Sequence, residues 1–594
     1  MISIWASLAH RKSVKGSASF HREFTESFHL IHLKYWLVAR DWSMKKIPVS
    51  VVTAFTVSAL ITTSQLPALA NEATVKITEI SSITAGDGEG SAEIGTFHAA
   101  SKRIFATNGV KNSIDIFDIS DVANPKKVGS VSLSPYGNDV TSVAAGKDVV
   151  VAVVNVSDKF SASGVPTTTN GRIVVFDTNG KILSTPDVLG VLPDSVTFAP
   201  DGTTALVAIE GQPVCAKDDP ATSAKEDTDY SKASDPVGGV SVVDLSNPAV
   251  PVVRFAGFDQ FTVAAMRAKG IAVSSVVNNV SKDFEPEFVS AADNNFAYVT
   301  IQEANAIGKL NIKSATFESI TRAFESRVDY VARDTSDRDS GAGPRTYKNV
   351  VGASQPDAIA AFKVGLGDYF VTANEGDARE YTCLNDDLRG SALKVDSGRF
   401  PEWKTLSGNA ALGRAKVNPT IGDKDGDGDV DTIHLRGSNS MTMYRNGIVI
   451  WDSGDLLDRI QTQAFGVASI NGSHSLSSDK STMNYVGQDR SDDKGAEPEG
   501  VAVGMVGNRR IAILGLERMT ALAVFDITQP RNPIFQEWIQ MLPTKATPAK
   551  DVKHWSPEGI VFVPADKSPS GKALIITSYE LSGSLSIHQI EPRN

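Results

Sequence analysis

Acidic residues recur in pairs along this chain, at a spacing that could bring many of them to one site. In each pair a carboxylate or its amide analogue precedes a short apolar run, and a second Glu or Asn ends another apolar run 15 to 22 residues later. The seven pairs are Glu93/Asn108, Asp139/Asn155, Asp194/Glu210, Glu287/Glu303, Asp357/Glu375, Glu499/Glu517 and Glu558/Glu580. Carboxylate oxygens are the ligands that calcium and other hard divalent cations take in proteins.

Convergent carboxylates need a positive partner, because like charges at close range repel and raise one another's pKa. One solution is a bound metal, either calcium or another divalent cation. The other is the chain's own basic side chains, Arg379, Arg490, Lys494 and Arg518. The sequence leaves both open. The acidic residues predicted to bind the metal at this site are Asp194, Glu210, Glu287, Glu303, Asp357, Glu375, Asp377, Glu499, Glu517, Glu558 and Glu580.

An acidic segment with two glycines offers a second place for a metal. Its predicted ligands are Asp423, Asp425, Asp427, Asp429 and Asp431. Alternating oxygen ligands with a glycine at the sixth place match the first half of a calcium loop. The twelfth place holds His434 instead of the bidentate Glu of an EF-hand, and no helical pattern flanks the segment. The pattern predicts a free-standing calcium loop that orders an insertion at about 384–438, with a solvated acidic turn as the alternative.

Two β-like runs separate the members of each acidic pair. They are usually joined by a turn such as Pro200-Asp201-Gly202, which is typical of a hairpin. Because hairpin strands are antiparallel, the residue entering the first strand lies beside the residue leaving the second. Seven such ends arranged in a ring would form an acidic rim.

The runs that follow the hairpins predict the fold. A third β-like run follows most pairs, for example 521–527 (ALAVFDI), and several units have a fourth. Four short strands in a repeat of roughly 40 to 60 residues are typical of propeller blades. The sequence therefore predicts an all-β fold, a seven-bladed β-propeller whose last blade is completed by the spare run 75–83. Two stacked β domains are the alternative, and helix-like spacing at 259–273 and 455–465 predicts helical insertions.

The N-terminal region has the pattern of a signal peptide. Met44-Lys45-Lys46 is followed by the apolar stretch 47–61 and by Ala68-Leu69-Ala70, an A-x-A cleavage site. We expect residues 1–43 to come from a start codon assigned too far upstream, residues 44–70 to be cleaved, and residues 71–594 to form one domain. Without residues 1–70 the chain keeps 50 basic and 66 acidic residues, a net charge of −16.

This acidic balance excludes some classes of partner. Nucleic-acid binding requires a basic footprint, so we expect no nucleic-acid partner. Residues 71–594 contain no stretch of about 18 apolar residues, so we expect no transmembrane segment in the mature chain. The sequence predicts a monomer that is secreted or associated with the cell surface. Its two cysteines, Cys215 and Cys383, permit one disulfide in an oxidising compartment or two free thiols.

Several stretches resemble the choice-of-anchor I family. They are 283–306 (DFEPEFVSAADNNFAYVTIQEANA), 372–381 (TANEGDAREY), 412–431 (LGRAKVNPTIGDKDGDGDVD), 490–503 (RSDDKGAEPEGVAV), 514–518 (LGLER) and 556–560 (SPEGI). The resemblance covers residues from about 75 to the C-terminus. It implies an extracellular or cell-surface propeller, and some relatives carry the label of an atypical alkaline phosphatase or look like phytase propellers. No anchor is visible here, which departs from the surface attachment of relatives.

Two functions from different classes follow. In the first, the acidic, calcium-loaded face binds an extracellular protein, glycan or other surface polymer. In the second, the chain is a calcium-dependent phosphoesterase in which metals held by Glu375, Asp377, Glu499, Glu517 and Glu558 activate water. Arg379, Arg518 and Lys494 would then neutralise charge in the transition state, and His554 could act as an acid or base. The sequence favours the binding module and leaves catalysis uncertain.

Overall fold

The computed structural model describes residues 73–218 and 225–593. The predicted signal peptide and the segment upstream of it lie outside these residues. Short antiparallel strands dominate the described part, where seven sheets have four strands each. We number these sheets 1 to 7 along the chain.

The strands of each sheet are given from the inner edge of the ring outward. Sheet 1 consists of Ser91–His98, Arg103–Asn108, Ser113–Asp118 and Lys126–Ser132, and sheet 2 of Asp139–Ala145, Val150–Asn155, Arg172–Phe176 and Ile182–Ser184. Sheet 3 consists of Pro193–Phe198, Thr204–Ile209, Gly239–Asp244 and Val252–Ala256, and sheet 4 of Pro286–Ala291, Phe296–Ile301, Ala306–Asn311 and Thr316–Arg322. Sheet 5 consists of Ile359–Val364, Gly367–Asn374, Ser440–Arg445 and Ile448–Asp452. Sheet 6 consists of Pro498–Val506, Arg509–Leu516, Ala521–Asp526 and Ile534–Gln540, and sheet 7 of Pro557–Val563, Ala573–Tyr579, Ser584–Pro592 and Val75–Thr84.

The remaining elements lie in the connections. A five-stranded sheet joins Glu325–Arg327, Val350–Ala353, Ile433–Leu435, Lys416–Val417 and Leu388–Arg389. Smaller sheets pair Lys159–Phe160 with Pro166–Thr167, Glu380–Tyr381 with Leu384–Asn385, and Ser473–Leu476 with Thr482–Val486 and Thr547–Pro548. The α-helices are Val263–Ala268, Val280–Asp283, Trp403–Leu406 and Leu456–Phe465, and the 3₁₀ helices are Tyr230–Lys232, Gly390–Ala392, Val467–Ser469 and Ala549–Asp551.

The sheets form a closed ring. Each first strand contacts the first strand of the next sheet, and the first strand of sheet 7 contacts that of sheet 1. A buried apolar cluster fills every interface between neighbouring sheets. Between sheets 4 and 5, the Phe370 ring lies 4.4 Å from Tyr298 and 4.6 Å from Tyr444, measured between centroids. The prediction of a β-propeller is confirmed.

The ring is closed by the N-terminal strand that the sequence predicts. Val75–Thr84 pairs antiparallel with Ser584–Pro592, from Val75 opposite Pro592 to Thr84 opposite Ser584. This strand gives sheet 7 its fourth strand, so the two ends of the domain are held together by main-chain hydrogen bonds. The predicted helical insertions are also present, over shorter ranges than their patterns suggest.

The long connection between the second and third strands of sheet 5 builds part of the extra sheet. It contributes Leu388–Arg389, Lys416–Val417 and Ile433–Leu435, and the last of these pairs in parallel with Val350–Ala353. An apolar cluster that includes Phe400, Leu412 and Val417 packs beneath it. Among the helices of the described residues, none has both the length and the hydropathy that crossing a membrane requires.

Candidate functional site

A repeated backbone device places the first carboxylate of most acidic pairs. Proline directly precedes this carboxylate at Asp194, Glu287, Asp357, Glu499 and Glu558. At four of these five places the residue before proline has a positive φ, between 41° and 67°. In sheets 3, 4, 6 and 7 the register shifts just after the proline, across the acidic residue. A shift of this kind is a β-bulge, which re-aims a side chain at the edge of a sheet.

The second carboxylates follow the ends of the second strands. Glu210, Glu375, Glu517 and Glu580 come directly after their strands, and Glu303 comes two residues after its strand. Pro193 pairs with Ile209, so Asp194 and Glu210 lie at the same end of sheet 3. The same arrangement recurs around the ring.

These ends surround an acidic cavity of about 420 Å³. Its carboxylate lining is Asp194, Glu210, Glu287, Glu303, Asp357, Glu375, Asp377, Glu380, Glu499 and Glu558. We call this space the acidic cavity. Of the predicted rim residues, Glu517 and Glu580 lie outside this lining, and Glu517 lies beside Glu375 instead.

One group of carboxylates in the cavity has no basic partner. Oxygens of Asp194, Glu210 and Glu287 lie within 4.8 Å of one another, and we call this group the sheet 3–4 triad. Within the described residues, no Lys, Arg or His nitrogen forms a salt bridge to it. Burial raises the pKa of Asp194 to about 7. Burial, followed by the neighbouring carboxylates, also raises the pKa of Glu210 and Glu287 well above the usual range.

A second group is paired with three basic side chains. Oxygens of Glu375, Glu497 and Glu517 lie within 4.8 Å of one another, and we call this group the sheet 5–6 triad. Lys494 Nζ lies 2.5 Å from Glu375 Oε1, and Arg490 Nη2 lies 2.5 Å from Glu497 Oε1. The Arg518 Nε atom lies 3.0 Å from Glu497 Oε2 and 3.1 Å from Glu517 Oε2.

Glu497 shows the effect of this pairing most clearly. Its side chain is fully buried, and burial alone would raise its pKa. The three neighbouring cations reverse that effect and lower the pKa below the usual value. Sequence reasoning missed this residue. The signal was available, because Glu497-Pro498-Glu499 repeats the motif Glu285-Pro286-Glu287.

A third group of carboxylates shares Glu375 with the sheet 5–6 triad and lines the acidic cavity together with the sheet 3–4 triad. Oxygens of Asp357, Glu375 and Glu499 lie within 4.8 Å of one another, and we call it the bridging triad. Among residues 73–218 and 225–593, the buried atoms Asp357 Oδ2, Glu499 Oε2 and Glu303 Oε2 have no hydrogen-bond partner. Burial and nearby carboxylates raise the pKa of Asp357 and Glu499 well above the usual range.

Arg379 does not face the cavity. Its guanidinium is fully buried, with Nη2 3.2 Å from Asp283 Oδ2, Nη1 3.2 Å from Asp386 Oδ2 and Nε 3.8 Å from Glu285 Oε1. The prediction that Arg379 neutralises charge on a substrate is wrong, because protein atoms cover the side chain completely. Arg379 acts instead as an internal cation behind the cavity wall. Sequence reasoning missed its three acidic partners.

His554 lines a different cavity, of about 250 Å³, together with Glu79 and His588. Its Nδ1 atom lies 2.9 Å from Ser584 Oγ, and its ring lies 4.5 Å from the Tyr579 ring. Burial lowers the pKa of His554 to about 4, so the imidazole is neutral at neutral pH. The structure therefore does not bring His554 to the acidic cavity with the carboxylates.

The acidic segment in the sheet 5 insertion folds back on itself. Oxygens of Asp423, Asp425 and Asp431 lie within 4.8 Å of one another, whereas Asp427 and Asp429 do not join this group. Asp423 accepts hydrogen bonds from the Gly426 and Gly428 amides at 2.7 and 3.0 Å. The loop geometry fits both a cation and a solvated turn.

Cys215 and Cys383 form a disulfide, with Cα atoms 5.6 Å apart. The bridge connects the loop after Glu210 with the loop after Glu375, and 168 residues separate its two ends. It fixes the position of two carboxylate-bearing loops relative to each other, on the side of the ring where the acidic cavity opens.

Comparison with known proteins gives one family and one partial relative. Residues 93–530 match the sequence model of the Choice-of-anchor I domain. The mesenchyme-specific cell surface glycoprotein of Strongylocentrotus purpuratus is 23% identical over 231 residues, which are 34% of this chain and 30% of that protein. The chain therefore spans less than a third of the length of that curated relative.

Two solved structures resemble the fold at low sequence identity. The β-propeller domain of Cps50 (Swd1) from Myceliophteria thermophila is 8% identical, with a TM-score of 0.39, over 86% of this chain and 99% of that chain. Hydrazine synthase from Kuenenia stuttgartiensis is 10% identical, with a TM-score of 0.40, over 85% of this chain and 96% of that chain. Both likenesses concern the fold, which the sheet topology shows independently.

Proposed function

The chain belongs to the choice-of-anchor I family, and we propose that it is an exported binding module whose acidic cavity holds calcium. In this proposal an extracellular protein, a glycan or another surface polymer binds at the cavity through the bound ion. The similarity of one segment to a cell surface glycoprotein supports an extracellular location. The disulfide supports an oxidising compartment.

The observation that carries this proposal is the sheet 3–4 triad. Three carboxylates lie together, Glu210 buried and Asp194 and Glu287 half-buried, and within the described residues no basic side chain pairs with them. Buried charges without a partner are costly, so these groups must either hold protons or bind a cation. The unpartnered Glu303 Oε2 atom, in a side chain that is 4% exposed, lines the same cavity and fits the oxygen ligands of calcium.

The cavity would also leave room for a ligand. Calcium takes roughly six to eight oxygen ligands, whereas three carboxylates that each give one oxygen supply three. The remaining positions would face the open volume and accept oxygens from a carboxylate, hydroxyl or phosphate of the partner. We propose a separate, structural role for calcium at the loop of Asp423, Asp425 and Asp431, because that loop lies in the insertion and does not line the cavity.

Thermal melting of the chain from Asn71 tests the calcium site. A ligand that binds only the native state raises the melting temperature by mass action. With the loop site removed by Asp423→Asn/Asp425→Asn, calcium should raise it for the otherwise unchanged chain and barely change it for Glu210→Gln/Glu287→Gln. Glu318→Gln is the matched control, because Glu318 is exposed in sheet 4 and pairs with Lys309. The proposal fails if the double variant responds to calcium as strongly as the control.

A metal-dependent phosphoric ester hydrolase is the second candidate. It is favoured by Lys494 and Arg518, whose positive charges lie beside Glu375 and Glu517 and could receive phosphoryl oxygens. Hydrolysis of a chromogenic phosphate ester and of phytate, with calcium and with chelator, tests it. Turnover that calcium restores and Glu375→Gln/Glu499→Gln abolishes would make the chain an enzyme. No turnover, with calcium still raising the melting temperature, would leave the binding module.

A further inference from the structure

Lys494 occupies an unusual position between two groups of carboxylates. Its Nζ lies 2.5 Å from Glu375 Oε1, 3.6 Å from Asp377 Oδ1 and 3.7 Å from Glu497 Oε2. Glu375 belongs to both the sheet 5–6 triad and the bridging triad. One ammonium group therefore supplies positive charge at the point where the two groups meet.

Lys494 balances only part of the negative charge of the bridging triad. Lys494 forms a salt bridge with Glu375 but with neither of the other two members, within the described residues. Asp357 is 7% exposed and lines the acidic cavity, and its Oδ2 atom has no hydrogen-bond partner in the described part of the chain. Three carboxylates within 4.8 Å of one another are a donor set that fits a divalent cation when no ammonium is present.

Hydrogen bonds fix the segment on both sides of Lys494, whereas the Lys494 side chain borders a second cavity. Ser491 Oγ donates to Asp334 Oδ2 at 2.7 Å, and the Ala496 amide donates to Asn439 Oδ1 at 3.1 Å. Lys494 also lines a second cavity of about 160 Å³, whose walls carry Arg436 and Arg490 together with the carboxylates Asp377, Glu380, Asp387 and Asp493. The ammonium could leave Glu375 for these groups without moving the main chain.

We propose that Lys494 is a built-in counter-ion that keeps a divalent cation out of the bridging triad. A compact ammonium on a flexible stem is suited to this role, since it supplies one charge and can be displaced. The cavity then binds an ion at the sheet 3–4 triad and a further ion only when Lys494 is removed or drawn away. An anionic ligand that attracts Lys494 would make room for that second ion. This inference rests on the proposed calcium-binding function.

Counting bound calcium by native mass spectrometry and isothermal titration calorimetry tests the proposal. The background is Asp423→Asn/Asp425→Asn, which removes the loop as a source of ions. In this background Lys494→Met should bind one more calcium ion per chain than the parent. Lys494→Arg, which keeps the charge, should bind the parent number. Lys494→Met/Glu499→Gln should return to the parent number and so locate the extra ion.

A reciprocal variant keeps the proposal testable if Lys494→Met does not fold. Gln212 donates a hydrogen bond to Glu210 in the sheet 3–4 triad, so Gln212→Lys places an ammonium there. Gln212→Lys should bind one ion fewer than the parent. If Lys494→Met does not fold, equal counts in the parent and Gln212→Lys would overturn the inference.

The counts also separate this inference from the proposed function. A parent that binds calcium while Lys494→Met gains no ion refutes only the role of Lys494. A parent that binds none while Lys494→Met binds one supports that role and refutes the calcium-loaded cavity of the wild type. No binding by either chain refutes both.

Discussion

The sheet 3–4 triad and the sheet 5–6 triad are similar in chemistry and opposite in charge balance. Each places three carboxylates within 4.8 Å of one another. Lys494, Arg490 and Arg518 pair with the second triad, whereas no basic side chain among the described residues pairs with the first. The pKa values differ most clearly at Glu497, where the neighbouring cations lower the pKa, whereas burial raises the pKa of Glu375 and Glu517 in the same triad and of Asp194 and Glu210 in the other. Groups of carboxylates on the same face of one ring can therefore have different needs for an external cation.

The largest effect is expected at the paired triad. Glu497→Gln should destabilise the protein by about 3 kcal/mol, because removing one partner leaves buried or half-buried cations without their counter-charge. Calcium should not restore this loss. Chemical denaturation with and without calcium measures it. A neutral result would mean that the three cations do not depend on Glu497, and the contrast between the triads would lose its basis.

The second largest effect on stability is expected from pH, because the unpaired carboxylates take up and release protons. Burial raises the pKa of Asp194 to about 7 and that of Glu93 to about 8, so the folded chain holds protons that the unfolded chain releases near pH 4. Rising pH therefore favours unfolding, and this contribution to stability is present below pH 4 and lost as the pH rises to about 8. With chelator the melting temperature should fall between pH 5 and pH 8. Calcium should remove most of that fall, and a flat profile with chelator would contradict the prediction.

Glu210→Gln should have a smaller effect, opposite in sign to that of Glu497→Gln. In chelator at pH 8 it removes one of several repelling carboxylates and should stabilise the fold by about 1 kcal/mol. It should also weaken the stabilisation by calcium. The same denaturation curves provide the measurement. Destabilisation in chelator would contradict the prediction and show that the hydrogen bond from Gln212 outweighs the repulsion at Glu210.

The smallest effect is expected at the exposed loop. Asp423→Asn/Asp425→Asn should lower the free energy of unfolding by less than about 1 kcal/mol, because the loop lies at the surface of an insertion. We expect calcium to protect the segment 416–435 from proteolysis in the wild type and not in the variant. Equal cleavage of both chains in calcium would show that the loop binds no ion.

Local patterns predicted most of the fold. The hairpins and the closing strand Val75–Thr84 follow from alternating apolar runs and turn residues, which depend on near neighbours in sequence. The acidic pairs were visible for the same reason, since each member lies at a strand end. The motif of proline followed by an acid also marks the bulges that aim Asp194 and Glu499.

The charge balance could not be read from the sequence. Arg379, Lys494 and Arg518 look alike there, and only tertiary packing shows that the first is enclosed while the other two reach the carboxylates. His554 likewise precedes a strand on the expected side of the ring but lines another cavity. Long side chains reach partners that are far apart in sequence, which spacing does not encode.

Anomalous diffraction from crystals grown with calcium would test the central claim most directly. We expect a peak among Asp194, Glu210 and Glu287, with ligand oxygens at about 2.3–2.6 Å. We expect no peak among Glu375, Glu497 and Glu517, where the chain supplies its own cations. A peak at the paired triad, or calcium bound at the Asp423 loop alone, would contradict the claim that the unpaired carboxylates form the metal site.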